Sequence, residues 1–385
     1  MDALFTSRER VLTALNHKEP DRVPLDIGGG CSTSISVEGY EKLKHYLQMS
    51  GKGEKLSELF RVARLDENVL RFLESDCRPF VLGSRTNWKP PPSEPGTLID
   101  EFGITWKQVP YSSGFYWEVV QHPLAEATLD DVDNYAWPST EDPGFTVGLA
   151  EAAKSLYEET DFAIVADSGY QNIWEPAYLM RGFSRMLTDL LVNPEIASSI
   201  MTKILEINIS ITGQFLDAVG PYIQVIRTSD DLASQENVMF PPDTYRRMLK
   251  PLHKKFFDFI KTKTKAKIFF HSCGNIAPLI GDLAEIGVDI INPVQVSALG
   301  DTAELKSIFG EKVVFWGGVD TQKILPHGTV EEVEAEVHQR IKDLAPRGGF
   351  VLASVHNMQP DVPPQNIIAM AKAVKKFGNY PIQKQ

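Results

Sequence analysis

The apolar run in IFFHSCGNI (268–276) ends in a histidine and a cysteine two residues apart, His271 and Cys273. Side chains of an extended segment alternate between faces, so this spacing lets both point the same way and share one ion. A neutral imidazole and a thiolate suit Zn²⁺, whose catalytic sites take three protein ligands and leave one position open. The same pair also fits a small buried cysteine packed beside a hydrogen-bonded histidine. A third ligand has two candidates. His356 ends the last apolar run and offers an imidazole, while Cys31 follows three glycines after the first run. Cys77 precedes its run and reads as structural.

Acidic and aromatic residues cluster at the ends of other runs. Asp230 and Asp231 either cap the following loop or take part in chemistry. Asp167 and Glu175 bracket SGYQNIW, in which Tyr170 and Trp174 either wall a pocket or fill the core. Asn275, Gln295, Trp316 and Asn357 complete the set of polar and aromatic run ends. Gly28, Gly29 and Gly30 could cradle a phosphate, but no dinucleotide or Walker spacing follows them.

Elements of two kinds must position these groups. Short β-branched apolar runs lie at 22–27, 78–82, 162–167, 222–228, 266–271, 289–294, 313–318 and 350–354. Such near-continuous runs fit parallel strands covered by helices. Between them are helical patterns. One is 241–261, with Pro251 inside it as a kink or break; another opens at Asn193-Pro194-Glu195 and runs to Gly220. Eight strands alternating with helices predict an α/β fold, a (β/α)₈ TIM barrel, whose active site lies at the C-terminal strand ends. Residues 97–124 break the rhythm: they alternate apolar and polar around Tyr-Ser-Ser-Gly and predict a β-hairpin inserted after strand 2. With no linker or repeat, residues 1–385 read as one domain.

A formal net charge of −12 argues against a nucleic-acid partner and against anionic lipid. No run is long enough to span a membrane, and the N-terminus reads as an amphipathic helix without a signal-type apolar core. Three cysteines make no even disulfide framework, so a reducing, cytoplasmic location is expected.

Four stretches carry a resemblance: RERVLTALNHKEPDRVP, YLMRGFSRMLTDLLVNPE, HSCGNI and GFVLASVHNMQPDVPPQNI. In this order they resemble the uroporphyrinogen decarboxylase superfamily, which implies a (β/α)₈ barrel. True decarboxylases hold their polyanionic substrate with an arginine-rich N-terminal segment. The equivalent PLDIGGGCSTSIS has no arginine. The resemblance therefore points to the branch of zinc-dependent methyltransferases of corrinoid pathways, which includes methylcobamide:coenzyme M methyltransferases and O-demethylase components. It implies zinc on His271 and Cys273, with His356 where that branch has a cysteine.

The reaction implied is methyl transfer between a small substrate, such as a methoxylated aromatic ether, and the cobalt of a corrinoid carried by a separate corrinoid protein. Zinc would stabilise the leaving oxygen, and Asp230 or Glu175 would protonate it. A thiol acceptor is open as well. The hairpin is expected to wall the mouth through which the corrin ring enters, and a homodimer is an expectation for the assembly. The rival readings are a metal-free decarboxylase or lyase, using Asp230 or Asp231 to stabilise an intermediate and His356 as acid, and a non-catalytic ligand-binding barrel.

Overall fold

The computed structural model describes residues 5–50, 53–111 and 114–382. Seven of the predicted runs form one parallel sheet: β1 (Cys77–Val81), β2 (Ala163–Asp167), β3 (Val225–Ser229), β4 (Lys267–His271), β5 (Ile290–Asn292), β6 (Val314–Val319) and β7 (Phe350–Ser354). They neighbour one another in chain order. The sheet curls with helices around it, giving the α/β barrel architecture expected.

The first predicted strand, 22–27, is not a strand. It makes one parallel bridge, Leu25 to Leu352. Asp26 N–H donates to Leu352 O (2.9 Å) and Leu352 N–H to Pro24 O (2.9 Å). On the other side Asp76 N–H donates to Leu25 O (2.8 Å), and Ile27 N–H to Ser75 Oγ (3.1 Å). This segment closes the gap between β7 and β1. Pro24 has no N–H to give, and the glycines after Ile27 turn the chain away, so the ladder cannot lengthen.

Alternation along the strands builds the interior. Val165, Val225, Phe269, Val314, Trp316, Val351 and Ala353 share one inner cluster with Cys77. The helix Ser7–Leu15, started by a Thr6–Glu9 capping box, adds Val11 and Leu15 to that cluster and plugs the barrel from below. The opposite strand faces join a larger apolar layer beneath the outer helices.

Asp76 ties the bottom together. Buried completely, it accepts from Arg10 Nη1 (2.7 Å), Arg22 Nη1 (2.9 Å), Ser7 Oγ (2.8 Å) and Leu25 N–H (2.8 Å).

Two expectations change in detail. The inserted hairpin is a three-stranded antiparallel sheet, because Thr97–Ile99 pairs with Thr105–Tyr111, which in turn pairs with Gly114–Gln121. The serines of its predicted Tyr-Ser-Ser-Gly turn lie outside the described residues. The helix predicted over 241–261 is divided: a π-helical turn, Tyr245–Leu249, precedes the α-helix Lys250–Lys263. Pro251 lacks the N–H that a regular turn requires there, and the wider turn absorbs the mismatch. The helix Pro194–Val219 ends before Gly220 as expected. Among the described residues no helix is long and apolar enough to cross a membrane.

Candidate metal centre

The site grows from the period-two pattern of three strands. Two residues beyond the inner Val165, Val225 and Phe269 come Asp167, Arg227 and His271, on the same side of the sheet and nearer the strands' C-terminal ends. One further step past His271 is Cys273.

The loop that carries Cys273 is fixed by its neighbour after β3. Ser272 Oγ accepts from Leu232 N–H (3.0 Å), Cys273 N–H donates to Asp231 Oδ1 (2.8 Å), and Asn275 N–H donates to Ser234 O (2.8 Å). At Gly274 the chain takes φ +86°, and a Cβ there would sit 2.3 Å from Ser234 O. Only glycine allows so close an approach.

His271, Cys273 and His356 come together, with their ligand atoms all within 4.8 Å of one another. Cys273 Sγ lies 3.5 Å from His271 Nε2. Ligands of a tetrahedral zinc with bonds of about 2.0–2.3 Å stand about 3.3–3.8 Å apart, so this pair already has a suitable separation. Cys31 is not part of the group.

Asparagines hold both imidazoles. His271 Nδ1 is 2.5 Å from Asn292 Oδ1, whose own Nδ2 donates to Trp316 O (2.9 Å). His356 Nδ1 bonds Asn357 Oδ1, which also accepts from Gln359 Nε2 (3.2 Å). An amide oxygen requires a proton on each Nδ1, which leaves both Nε2 lone pairs free for an ion. Burial lowers both histidines below their ordinary range, and Arg227 adds to the effect. Neutral imidazole is the ligating form. The donor set fits zinc.

Acids flank the thiol. Burial pushes Cys273 up, and the Asp231 and Glu175 charges add to this. Burial also pushes Glu175 up, to about 8, with Asp231 and then Asp230 contributing. Asp231 is raised by burial as well. At neutral pH Glu175 therefore holds a proton, in a site that also contains the three ligands.

Asp230 does not face this space as a free acid. Its oxygens accept from Ile173 N–H (2.8 Å), Trp174 N–H (2.9 Å), Glu175 N–H (2.9 Å) and His253 Nε2 (2.8 Å). It caps the helix Trp174–Arg181 from the loop that follows β3, and so positions Glu175. Two adjacent acids have opposite tasks, because successive side chains leave the chain in different directions.

Several expected pocket residues are structural. Trp174 is fully buried, edge-on to Phe240 and Tyr178. Trp316 belongs to the inner barrel cluster, and its Nε1 donates to Asp26 Oδ2 (3.0 Å). Asn275 Nδ2 donates to Glu236 O (3.1 Å), while Gln295 accepts from Gly274 N–H (2.7 Å) and donates to Gln235 Oε1 (2.8 Å). Both pin loops of the rim. The Tyr170 hydroxyl donates to Glu101 Oε1 (2.6 Å) and accepts from Arg85 Nε (3.1 Å), which joins the inserted sheet's border to the rim. Asp167 keeps a place in the site, paired with Arg227 at 3.3 Å.

Arg227 and Asn292 are the functional residues missed from the sequence. A lone arginine at an inward position of YIQVIRT was the available signal for the first. Nothing marked Asn292 except its place in a run of aliphatic residues.

Comparison with known proteins places this geometry in a family. The uroporphyrinogen decarboxylase (URO-D) family model matches residues 119–377. Methylcobamide:CoM methyltransferase MtaA of Methanosarcina barkeri is 28% identical over 154 residues, 40% of this chain and 42% of the relative. Thus the match spans about two fifths of that relative's length. A uroporphyrinogen decarboxylase of Magnetococcus marinus is 26% identical over 100 residues, 26% of this chain and 27% of the relative. Among solved structures, a methyltransferase from Methanosarcina mazei shares the fold with a TM-score of 0.69 at 20% identity, covering 97% of this chain and 99% of that one. The family match covers well over half of the sequence and includes β2–β7 with all three converging ligands, and the chain belongs to the uroporphyrinogen decarboxylase family.

Proposed function

We propose that this protein is a corrinoid-dependent methyltransferase that holds zinc on His271, Cys273 and His356. It moves a methyl group between a small substrate, a methyl ether such as a methoxylated aromatic, and the cobalt of a separate corrinoid protein. The observation that carries the reading is the convergence of His271, Cys273 and His356, with Glu175, raised by burial, in the same site.

Bound at these ligands, zinc supplies Lewis acidity at the leaving oxygen, and the partner's corrinoid supplies the cobalt nucleophile. The remaining work belongs to the chain. Asn292 and Asn357 fix the imidazole tautomers, and the loop held by Asp231 fixes Cys273. As the ether C–O bond breaks, the methyl group leaves its oxygen without the bonding pair. Glu175 gives its proton to that oxygen, and Asp230 keeps the acid in place through the backbone N–H of the same residue. The strands' C-terminal ends are the face at which the corrin ring would be received.

A thiol acceptor is the second reading, favoured by the similarity to methylcobamide:CoM methyltransferase MtaA of Methanosarcina barkeri. The same ligands would serve it, since zinc binds a thiol as thiolate. The test is metal analysis of the purified protein together with methyl transfer from methoxyarenes to free cob(I)alamin, and from methylcobalamin to thiols. About one zinc per chain with turnover in either direction supports the proposal. A zinc-free protein with undiminished turnover overturns it.

A further inference from the structure

One charged group of the site is unused by this mechanism. Arg227 lies inside the barrel, with its side chain 11% exposed. Its Nε donates to Ser32 Oγ at 3.2 Å and its Nη1 to Asp167 Oδ2 at 3.3 Å. Both contacts are long for charge-assisted bonds, which run about 2.7–2.9 Å. The Arg10–Asp76 pair at the barrel bottom is 2.7 Å. Asp167 is partly committed elsewhere, since its Oδ1 accepts from Gly169 N–H at 2.8 Å. Arg227 Nη2 makes no hydrogen bond to any described residue.

This guanidinium belongs to the same space as the metal ligands. Its charge bears on His271, His356, Cys273, Asp231 and Glu175 alike. Although PLDIGGGCSTSIS contains no arginine, its Ser32 steadies one that arrives from β3. The spare Nη2 edge is open to the site rather than sealed in the core, so an incoming acceptor can reach it, and a carboxylate matches the fork with two oxygens.

We propose that Arg227 is the anion-binding residue of this site, and that the small substrate carries a carboxylate which docks on its open Nη2 edge. Asp167 offsets part of the charge, so a monoanion rather than a polyanion is the matching ligand. The inference deepens the methyl-transfer reading, since it names the substrate class for the same site.

Titration calorimetry on the full chain tests it with two acid and amide pairs: 3-methoxybenzoate against 3-methoxybenzamide, and mercaptoacetate against mercaptoacetamide. The wild type is expected to bind at least one acid about 10- to 100-fold tighter than its amide. Arg227→Gln should erase that preference. Arg227→Lys, which keeps the charge and loses the fork, should retain part of it. Equal affinity for acid and amide in the wild type overturns the proposal, as does no binding of either acid, or a preference that survives in Arg227→Gln. If the variants do not fold, the wild-type ratio still decides between support and rejection. Because binding is read without turnover, the two readings fail separately. Acid preference without methyl transfer sinks the methyltransferase and leaves the anion site, whereas equal turnover of acidic and neutral donors does the reverse.

Discussion

The barrel buries charge at both ends, and does so in opposite ways. At the bottom, Asp76 meets two arginines, a hydroxyl and a backbone N–H, with contacts between 2.7 and 3.1 Å. At the mouth, Glu175, Asp231 and Cys273 crowd together and are all pushed toward their neutral forms. Arg227, held loosely at 3.3 Å by Asp167, is the cation that acts on all three. Complete pairing gives a rigid closure, whereas incomplete pairing leaves protons and lone pairs that a ligand or ion can use.

The sharpest break of this comparison is at the thiol. Cys273→Ala should take zinc content from about one ion per chain to near none, and methyl transfer with it. Unchanged zinc would mean that the ligands lie elsewhere. Next in size is the bottom. Asp76→Ala removes the carboxylate partner of Arg22 and the acceptor of the buried Leu25 N–H, and leaves Arg10 with Asp21 alone, so it should cost about 3–5 kcal/mol of stability in denaturant unfolding. A loss under about 1 kcal/mol, the worth of an exposed pair, would show that the network does not close the barrel.

Smaller effects refine the mouth. Asn292→Ala frees the His271 tautomer and should weaken zinc binding about 10- to 100-fold with the fold intact, as read by competition with a chelator. Unaltered affinity would reduce Asn292 to packing.

The last test is pH. If Glu175 is the acid, turnover falls as pH rises through about 8, and Glu175→Gln loses that limb along with much of the rate. The same limb in the variant would assign it to another group. The stability sign follows from linkage. The folded state holds the Glu175 proton up to about 8, while the unfolded chain loses it near 4.5. Glu175 therefore makes the protein less stable as pH climbs from 4.5 to 8, and Glu175→Gln flattens that slope.

The sequence carried the barrel because its strands are apolar on both faces, a pattern set by burial alone. It carried the proximity of His271 and Cys273, the proposed ligand pair, because two-residue spacing survives any placement of the strand. His356 was legible through its position at the end of the last run. Burial of side chains near the rim was not legible. Trp174 and Trp316 read as pocket walls near the ends of apolar runs, yet one opens a helix and the other lies within β6, both packed in the core, and Asn275 and Gln295 bond neighbouring loops. Those contacts join segments far apart in the chain, which spacing cannot report. Asp230 shows the same gap: its partners Ile173 and Trp174 lie more than fifty positions away. The first strand failed for a local reason, the missing N–H of Pro24.

Gly274 has a consequence for which sequences can carry this site. It holds no reacting atom, yet any side chain there meets the Ser234 carbonyl and drives the loop, with Cys273, off its seat. A saturation library selected for activity should thus be as depleted at position 274 as at the ligands themselves. Inheritance of the proposed metal pair is a matter of three letters rather than two, and the third is written in backbone clearance.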